Sequence, residues 1–248
     1  YLKRTKVKID VYSICWNEEI LMPHFLRHYE QFADRIYIYD NGSTDSTLDI
    51  IRRCPIAQVK HYETGNKIRE DVYLVIKNHC WKKSTADYVI IADIDEFVYH
   101  PNIIDYLKEH QQTDVFEPAF YHMVTNHIPQ PHETLMKFEK GFLSKTNKMN
   151  VFKPQIEQIN YGAGCHKARP TTTNILYCTE LKTLHYKFLT PKHMIDKYKK
   201  YKPRVHGINL LHGWNYHYLW SEQKIIDCFT EAKNKASDVF SRQWPKYL

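Results

Sequence analysis

Apolar and polar positions along the first half of the chain change period in a regular order. "VKIDVYSICW" (Val7 to Trp16) predicts a strand. "EEILMPHFLRHYEQF" (Glu18 to Phe32) repeats its apolar residues near every 3.6 positions and predicts a helix, with Pro23 early enough to be tolerated. "RIYIYD" predicts a second strand, and "STDSTLDIIRRC", opening on Ser and Asp caps, a second helix. "AQVKHY" predicts a short third strand and Arg69 to Lys83 a third helix. "YVIIADID" follows as a fourth strand, and Pro101 starts a helix through His110. This alternation predicts an α/β sheet with right-handed crossovers.

The pattern changes after Asp114. Short β-like runs ("DVFEPAF", "KFEKGFL", "NVFKPQ", "NILYCT") alternate with polar connectors as far as Tyr186. Helical spacing returns at Pro191 to Lys200 and at Trp220 to Phe240. No repeat or low-complexity linker divides the chain. The expectation is one domain over 1–248, with 113–248 adding loops and a helical tail to the α/β half, 1–112.

Composition narrows the class only a little. The hydrophobic share of 43% and charged share of 25% are those of a globular protein, and no apolar run is long enough to span a bilayer. The net charge of +7 is compatible with an anionic ligand, nucleic acid or a membrane surface. Much of it sits in "MIDKYKKYKPR" (Met194 to Arg204), which reads as a solvated basic face. No nucleic-acid-binding signature is present, and no nucleic-acid partner is expected. Six cysteines without a C-x-x-C pair predict free thiols in a reducing, cytoplasmic setting. The chain begins at Tyr1 rather than Met, which leaves room for an upstream membrane anchor and peripheral membrane contact.

Ligands of open α/β sheets bind at the carboxyl ends of the strands. Three polar clusters fall there: "WNEE", "DNGSTD" and "DIDEF". The last places Asp93, Asp95 and Glu96 directly after a buried apolar run, which repulsion and desolvation oppose unless positive charge is near. In an extended segment Asp93 and Asp95 share a face and converge on one point. A divalent cation, a pair of basic side chains or open water would satisfy them.

In order, these blocks resemble the opening of family-2-like, GT-A-fold glycosyltransferases, with "IADIDEF" similar to their D-x-D motif in its D-x-D-E-F form. The likeness covers roughly the first 110 residues well and the rest loosely, through "VFKPQ", "GAGCH" and "LHYKFLTPKHMIDKY". It implies a GT-A-type mixed, mostly parallel sheet flanked by helices, with the nucleotide sugar bound by 1–112. The implied activity is metal-dependent transfer of a hexosyl or deoxyhexosyl group from a nucleotide sugar to a glycan or other hydroxyl acceptor, with inversion. A Mn²⁺ or Mg²⁺ ion bridging the diphosphate would neutralise the leaving group.

The resemblance also assigns residues. Asp95 would ligate the metal directly, and Asp93 would reach the ribose, or the metal through water. Asp40 would line the base and ribose pocket. Asn41 stands where the common motif has a second acid, which weakens the case for uracil, although a UDP-sugar remains the favoured donor over GDP or dTDP. Asn17 and Glu18 flank the first strand end, where Glu18 would orient the base pocket or favour the first helical turn. Ser43 and Asp45 read as a helix cap. His185 is the candidate third metal ligand, with Lys187 on the departing phosphate, and His166 lies in a Gly-rich turn suited to a loop over the donor. Glu117 is the preferred acceptor base among Glu117, Glu133, Glu139 and Asp196. "HGWNYHYLW" (His212 to Trp220) would stack on a sugar or, preferably, begin a packed helix. Rival readings are a non-catalytic nucleotide-sugar or glycan binder and a magnesium phosphohydrolase. Phe97 argues against the phosphohydrolase, since Thr or Val is expected at that position.

Overall fold

The structure, a computed structural model, describes residues 7–240. The first half forms β1 (Ile9–Cys15), α1 (Met22–Tyr29), β2 (Arg35–Asp40), α2 (Thr47–Arg52), β3 (Ala57–His61), α3 (Glu70–His79), β4 (Tyr88–Ile91), β5 (Glu96–Tyr99) and α4 (Ile103–Glu109). The second half adds β6 (Val115–Val124), β7 (Lys140–Leu143), β8 (Val151–Phe152), β9 (Ile175–Phe188), α5 (Pro191–Tyr201), α6 (Gly207–Leu211), α7 (Glu222–Lys235) and β10 (Ser237–Asp238). Four strands run parallel in the order β3-β2-β1-β4, and β8, β6, β7 and β10 continue the sheet antiparallel. The result is a mixed α/β sheet flanked by helices, as the alternation predicts.

β1 and β4 are buried on nearly every residue because both faces of a parallel strand are covered. On α1, Met22, Phe25, Leu26 and Tyr29 form the apolar stripe that packs into the main core, and Pro23 sits in its first turn. The core also draws Phe116, Leu184 and Tyr186 from the second half. α5 begins where Thr190 accepts the His193 N–H at 3.1 Å, with Pro191 in the first position.

Two features decide where a ligand can sit. Strand order reverses at β1, which has β2 on one side and β4 on the other, so a crevice opens beyond their carboxyl ends. The apolar run of β4 does not lead into a helix. It turns at Asp93 to Glu96, closed by the Glu96 N–H donating to the Asp93 carbonyl at 2.9 Å, and returns as β5 antiparallel to β9. This pairing sets Glu96 opposite His185. Asp93 and Asp95 therefore occupy a tight turn, and the face-sharing rule of an extended strand does not apply to them. The six cysteines are free. Among the described residues, no helix is long and apolar enough to cross a membrane.

Candidate active site

A cavity of about 250 Å³ opens where the order reverses, floored by Cys15 and Trp16 after β1 and by the 93–96 turn after β4. From the second half, His185 and Lys187 of β9, the Gly164–His166 turn, and residues of α5 and of the segment around His217 close it.

The acidic turn is satisfied mainly by side chains. Asp93 takes Lys77 Nζ of α3 at 2.6 Å and Lys148 Nζ at 3.1 Å. Lys148 also pairs with Glu96, and both side chains are buried. Burial opposes the charged form of Asp93, but Lys148 and Lys77 outweigh it and hold the carboxyl below the usual range. Asp95 faces other partners: its Oδ2 lies 3.4 Å from His185 Nε2 and 3.6 Å from Lys197 Nζ. Burial again opposes ionisation, and His185 and Lys197 again prevail, so Asp95 stays well below the ordinary value. Two adjacent acids thus have separate cationic partners.

Glu18 completes the arrangement. Its Oε1 accepts from Tyr201 at 3.0 Å and lies 3.1 Å from Lys197 Nζ. Burial raises its pKa, against the opposing pull of Lys197. Lys187 differs from the other cavity lysines, Lys77, Lys148 and Lys197. Among the described residues it has no carboxylate within ion-pair distance, and burial lowers its pKa. Two of the cavity imidazoles are pushed towards the neutral form. Burial, then Lys148 and His185, push His166 down to about 3, and burial with Lys187 and Lys197 does the same to His217.

Among the described residues no group of three or more His, Cys, Asp or Glu forms a ready metal cluster. Asp95 and His185 nevertheless provide one carboxylate oxygen and one imidazole nitrogen within 3.4 Å. Such a pair fits a divalent ion that takes its remaining ligands from phosphate oxygens and water. Asp93 fits less well, because two lysines already occupy its carboxylate.

Several expected site residues lie elsewhere. Asp40 is fully buried and outside the cavity. Its carboxylate accepts the Gly42 and Ser43 N–H groups at 3.0 and 3.1 Å, so it closes the loop after β2 and contributes no pocket surface. Asn41 is buried too and accepts from Arg204 at 2.7 Å. Asn17, at φ 52°, accepts the Thr44 N–H at 2.7 Å and so ties the β1 loop to the β2 loop outside the cavity. Ser43 accepts the Asn17 N–H, and Asp45 accepts the Thr47 N–H at the start of α2. Glu117 lies within β6 with its backbone paired to Tyr177 and does not line the cavity. His166, His185 and Lys187 do line it.

Sequence reasoning missed Lys77, Lys148 and Lys197. The run from Met194 to Arg204 is a solvated face only in part: Lys199 and Lys200 are exposed, whereas Arg204 is buried with its guanidinium 3.4 Å from the centre of the Trp16 ring. The signal was available in helical spacing, which puts Met194, Lys197, Tyr198 and Tyr201 on one face of α5. "HGWNYHYLW" forms a loop and a short 3₁₀ turn (Tyr216–Leu219), not the start of a helix, and Asn215, His217 and Tyr218 reach the cavity.

No family model matches the chain, and no curated protein sequence does. Among solved structures it is similar to residues 1–349 of S. aureus TarS at 15% identity and TM-score 0.48, covering 92% of this chain and 71% of that one. The S. aureus TarS 1–349 complex with UDP-GlcNAc gives 13% identity and TM-score 0.47, covering 92% and 72%. Glucosyl-3-phosphoglycerate synthase from Mycobacterium tuberculosis, in complex with Mn²⁺, UDP and glucosyl-3-phosphoglycerate, gives 14% identity and TM-score 0.33, covering 46% and 44%.

Proposed function

We propose that the cavity binds a nucleotide-diphosphate sugar, a UDP-sugar foremost, and that the protein is a glycosyltransferase moving a hexosyl or deoxyhexosyl group to a glycan or other hydroxyl acceptor with inversion. The observation that carries this reading is the Asp95–His185 pair, 3.4 Å apart, in a crevice at the strand-order reversal, with the unpaired Lys187 lining the same cavity. The order of the strand-end motifs supports it.

The chain's own residues would divide the work as follows. Residues 1–112 supply the floor under the donor, and 113–248 close the site. Asp95, kept ionised by His185 and Lys197, and His185 would hold Mn²⁺ or Mg²⁺. When bound, such an ion supplies positive charge to the departing diphosphate. Lys187 gains most from an arriving phosphate, since among the described residues its half-buried side chain has no carboxylate within ion-pair distance. Lys77 and Lys148 hold the 93–96 turn in place, and Asp93 is left to orient the turn or meet the ribose.

Calorimetric titration of UDP with and without Mn²⁺ tests the reading. Mn²⁺ should tighten binding at least tenfold, on the order of 1.4 kcal/mol, in the parent protein but not in Asp95→Ala. His185→Ala should cost more of this gain than His166→Ala. UDP affinity equal in EDTA and in Mn²⁺, and unmoved by Asp95→Ala, would overturn it.

A further inference from the structure

A second groove, of about 420 Å³, lies between residues 17–20 and α5, with Ile128 also lining it. Glu18, His193, Lys197 and Tyr201 line both this groove and the donor cavity, so the two spaces share one wall. The rest of the groove alternates apolar and polar surface: Ile20 and Ile128, Asn17, Glu19, exposed Lys200, and the Lys192–Asp196 pair at 2.8 Å. Sugars present the same alternation, with hydroxyls at the rim of the ring and C–H groups on its faces.

We propose that this groove holds the acceptor as a carbohydrate, and that Glu18, in the shared wall, is the base that takes the proton of its reacting hydroxyl. The proposal rests on the donor reading given above. Glu18 is placed for the task by its two oxygens. Lys197 and Tyr201 both fall on Oε1, and Oε2 takes neither. One oxygen is thus held while the other is available to a hydroxyl. Lys197 spans from Glu18 at 3.1 Å to Asp95 at 3.6 Å, which ties the base to the donor site. Burial also raises the Glu18 pKa, which strengthens it as a base.

The other candidates fail on position or basicity: Glu19 lines this groove but not the donor cavity, and its Oε2 accepts the Ser46 N–H at 3.2 Å. Glu117 and Glu139 line neither space, and Glu133 is engaged by His127 and Lys137 away from both. Asp196 is paired with Lys192 and does not reach the donor cavity. His193 shares the wall, but burial and Lys197 push it down to about 4, which makes it a weak acceptor of protons. In the step itself the acceptor O–H proton passes to Glu18 Oε2 as the acceptor oxygen bonds to the anomeric carbon. The bond from that carbon to the diphosphate oxygen breaks, and its electron pair leaves with the nucleoside diphosphate.

The test measures UDP release from UDP-glucose, UDP-galactose and UDP-N-acetylglucosamine with methyl glucosides and methyl galactosides as acceptors, alongside calorimetric UDP binding. Glu18→Gln should lower kcat roughly 10²- to 10⁴-fold while UDP Kd stays within about threefold, the ordinary margin for a group that does not bind the nucleotide. Glu18→Asp, which keeps the charge but retracts the oxygens, should also lose kcat, and formate should restore part of the activity of Glu18→Ala. Ile128→Trp should raise the KM for the glycoside and leave UDP Kd unchanged. Near-parental kcat in Glu18→Gln overturns the proposal. So does a loss of UDP affinity in Glu18→Gln matching that of Lys197→Met, which would reduce Glu18 to a positioning residue. A parent protein that binds UDP but releases it from no donor with any glycoside also overturns it. Failure to bind UDP at all would instead refute the donor reading, and this proposal with it.

Discussion

Replacing Lys148 by Met removes a buried ammonium while nearly keeping its shape. The Lys148 side chain is 4% exposed, and its partner Glu96 is 1% exposed. Asp93 keeps Lys77 at 2.6 Å, so the loss falls mainly on Glu96, which retains the Asp93 N–H at 3.2 Å. Leaving one member of a buried pair without its partner costs roughly 3–5 kcal/mol, a large part of the roughly 5–15 kcal/mol that stabilises a typical domain. With an m-value of about 2–3 kcal/mol/M, urea midpoints should fall by roughly 1–2.5 M. Glu96→Gln combined with Lys148→Met should lose clearly less than the sum of the single changes, because the carboxylate is then absent. Equilibrium urea unfolding by circular dichroism at neutral pH reads both the single and the double change. A midpoint shift below about 0.3 M, or additive double-mutant losses, would refute the view that Lys148 holds the acidic turn together.

Asp93 gives the parent protein a pH dependence on the acid side. Its folded pKa is depressed, so its contribution is present above the unfolded value of about 3.9 and is lost as pH falls through the folded value. Asp93→Asn should therefore flatten stability below about pH 4, which thermal melts across the acid range would show. Arg204→Ala removes the guanidinium stacked on Trp16 and its hydrogen bonds to Asn41 and the Asn66 carbonyl, and should cost about 2–4 kcal/mol. Arg204→Lys should not restore it, because an ammonium cannot reproduce a planar stack. Asn17→Ala loses the acceptor for the Thr44 and Asp45 N–H groups at a left-handed position and should destabilise by about 1–3 kcal/mol, with Asn17→Gly milder, as read by thermal denaturation.

The first half of the fold was legible because local rules apply there. β1 and β4 are apolar runs and β2 alternates in strand period, α1 carries an apolar stripe, and alternation of strand and helix implies the parallel sheet. The reading failed first at Asp93, where a turn interrupts the β pattern. An apolar run that ends in acids looks the same whether a helix or an antiparallel strand follows. It failed again in β9, which was read only as "NILYCT" but spans Ile175–Phe188, since a strand with mixed polarity along it shows no clean period.

By itself, the sequence determined which residue types crowd the strand ends and made Asp95, His185 and Lys187 candidates, and the structure brings these three to one cavity. Only the tertiary structure decided which charge neutralises which. Lys77 meets Asp93 across 16 positions, Lys148 meets it across 55, and Tyr201 meets Glu18 across 183. Spacing along the chain carries no information about such pairs, because the sheet order and the path of α5 bring them together. Desolvation makes the Lys148–Glu96 pairing compulsory, since a buried carboxylate left without a partner would be too costly to keep charged. Asp40, conspicuous in sequence, instead has its carboxylate met by backbone N–H groups of its own loop, while Lys197, one lysine among many, lines the cavity.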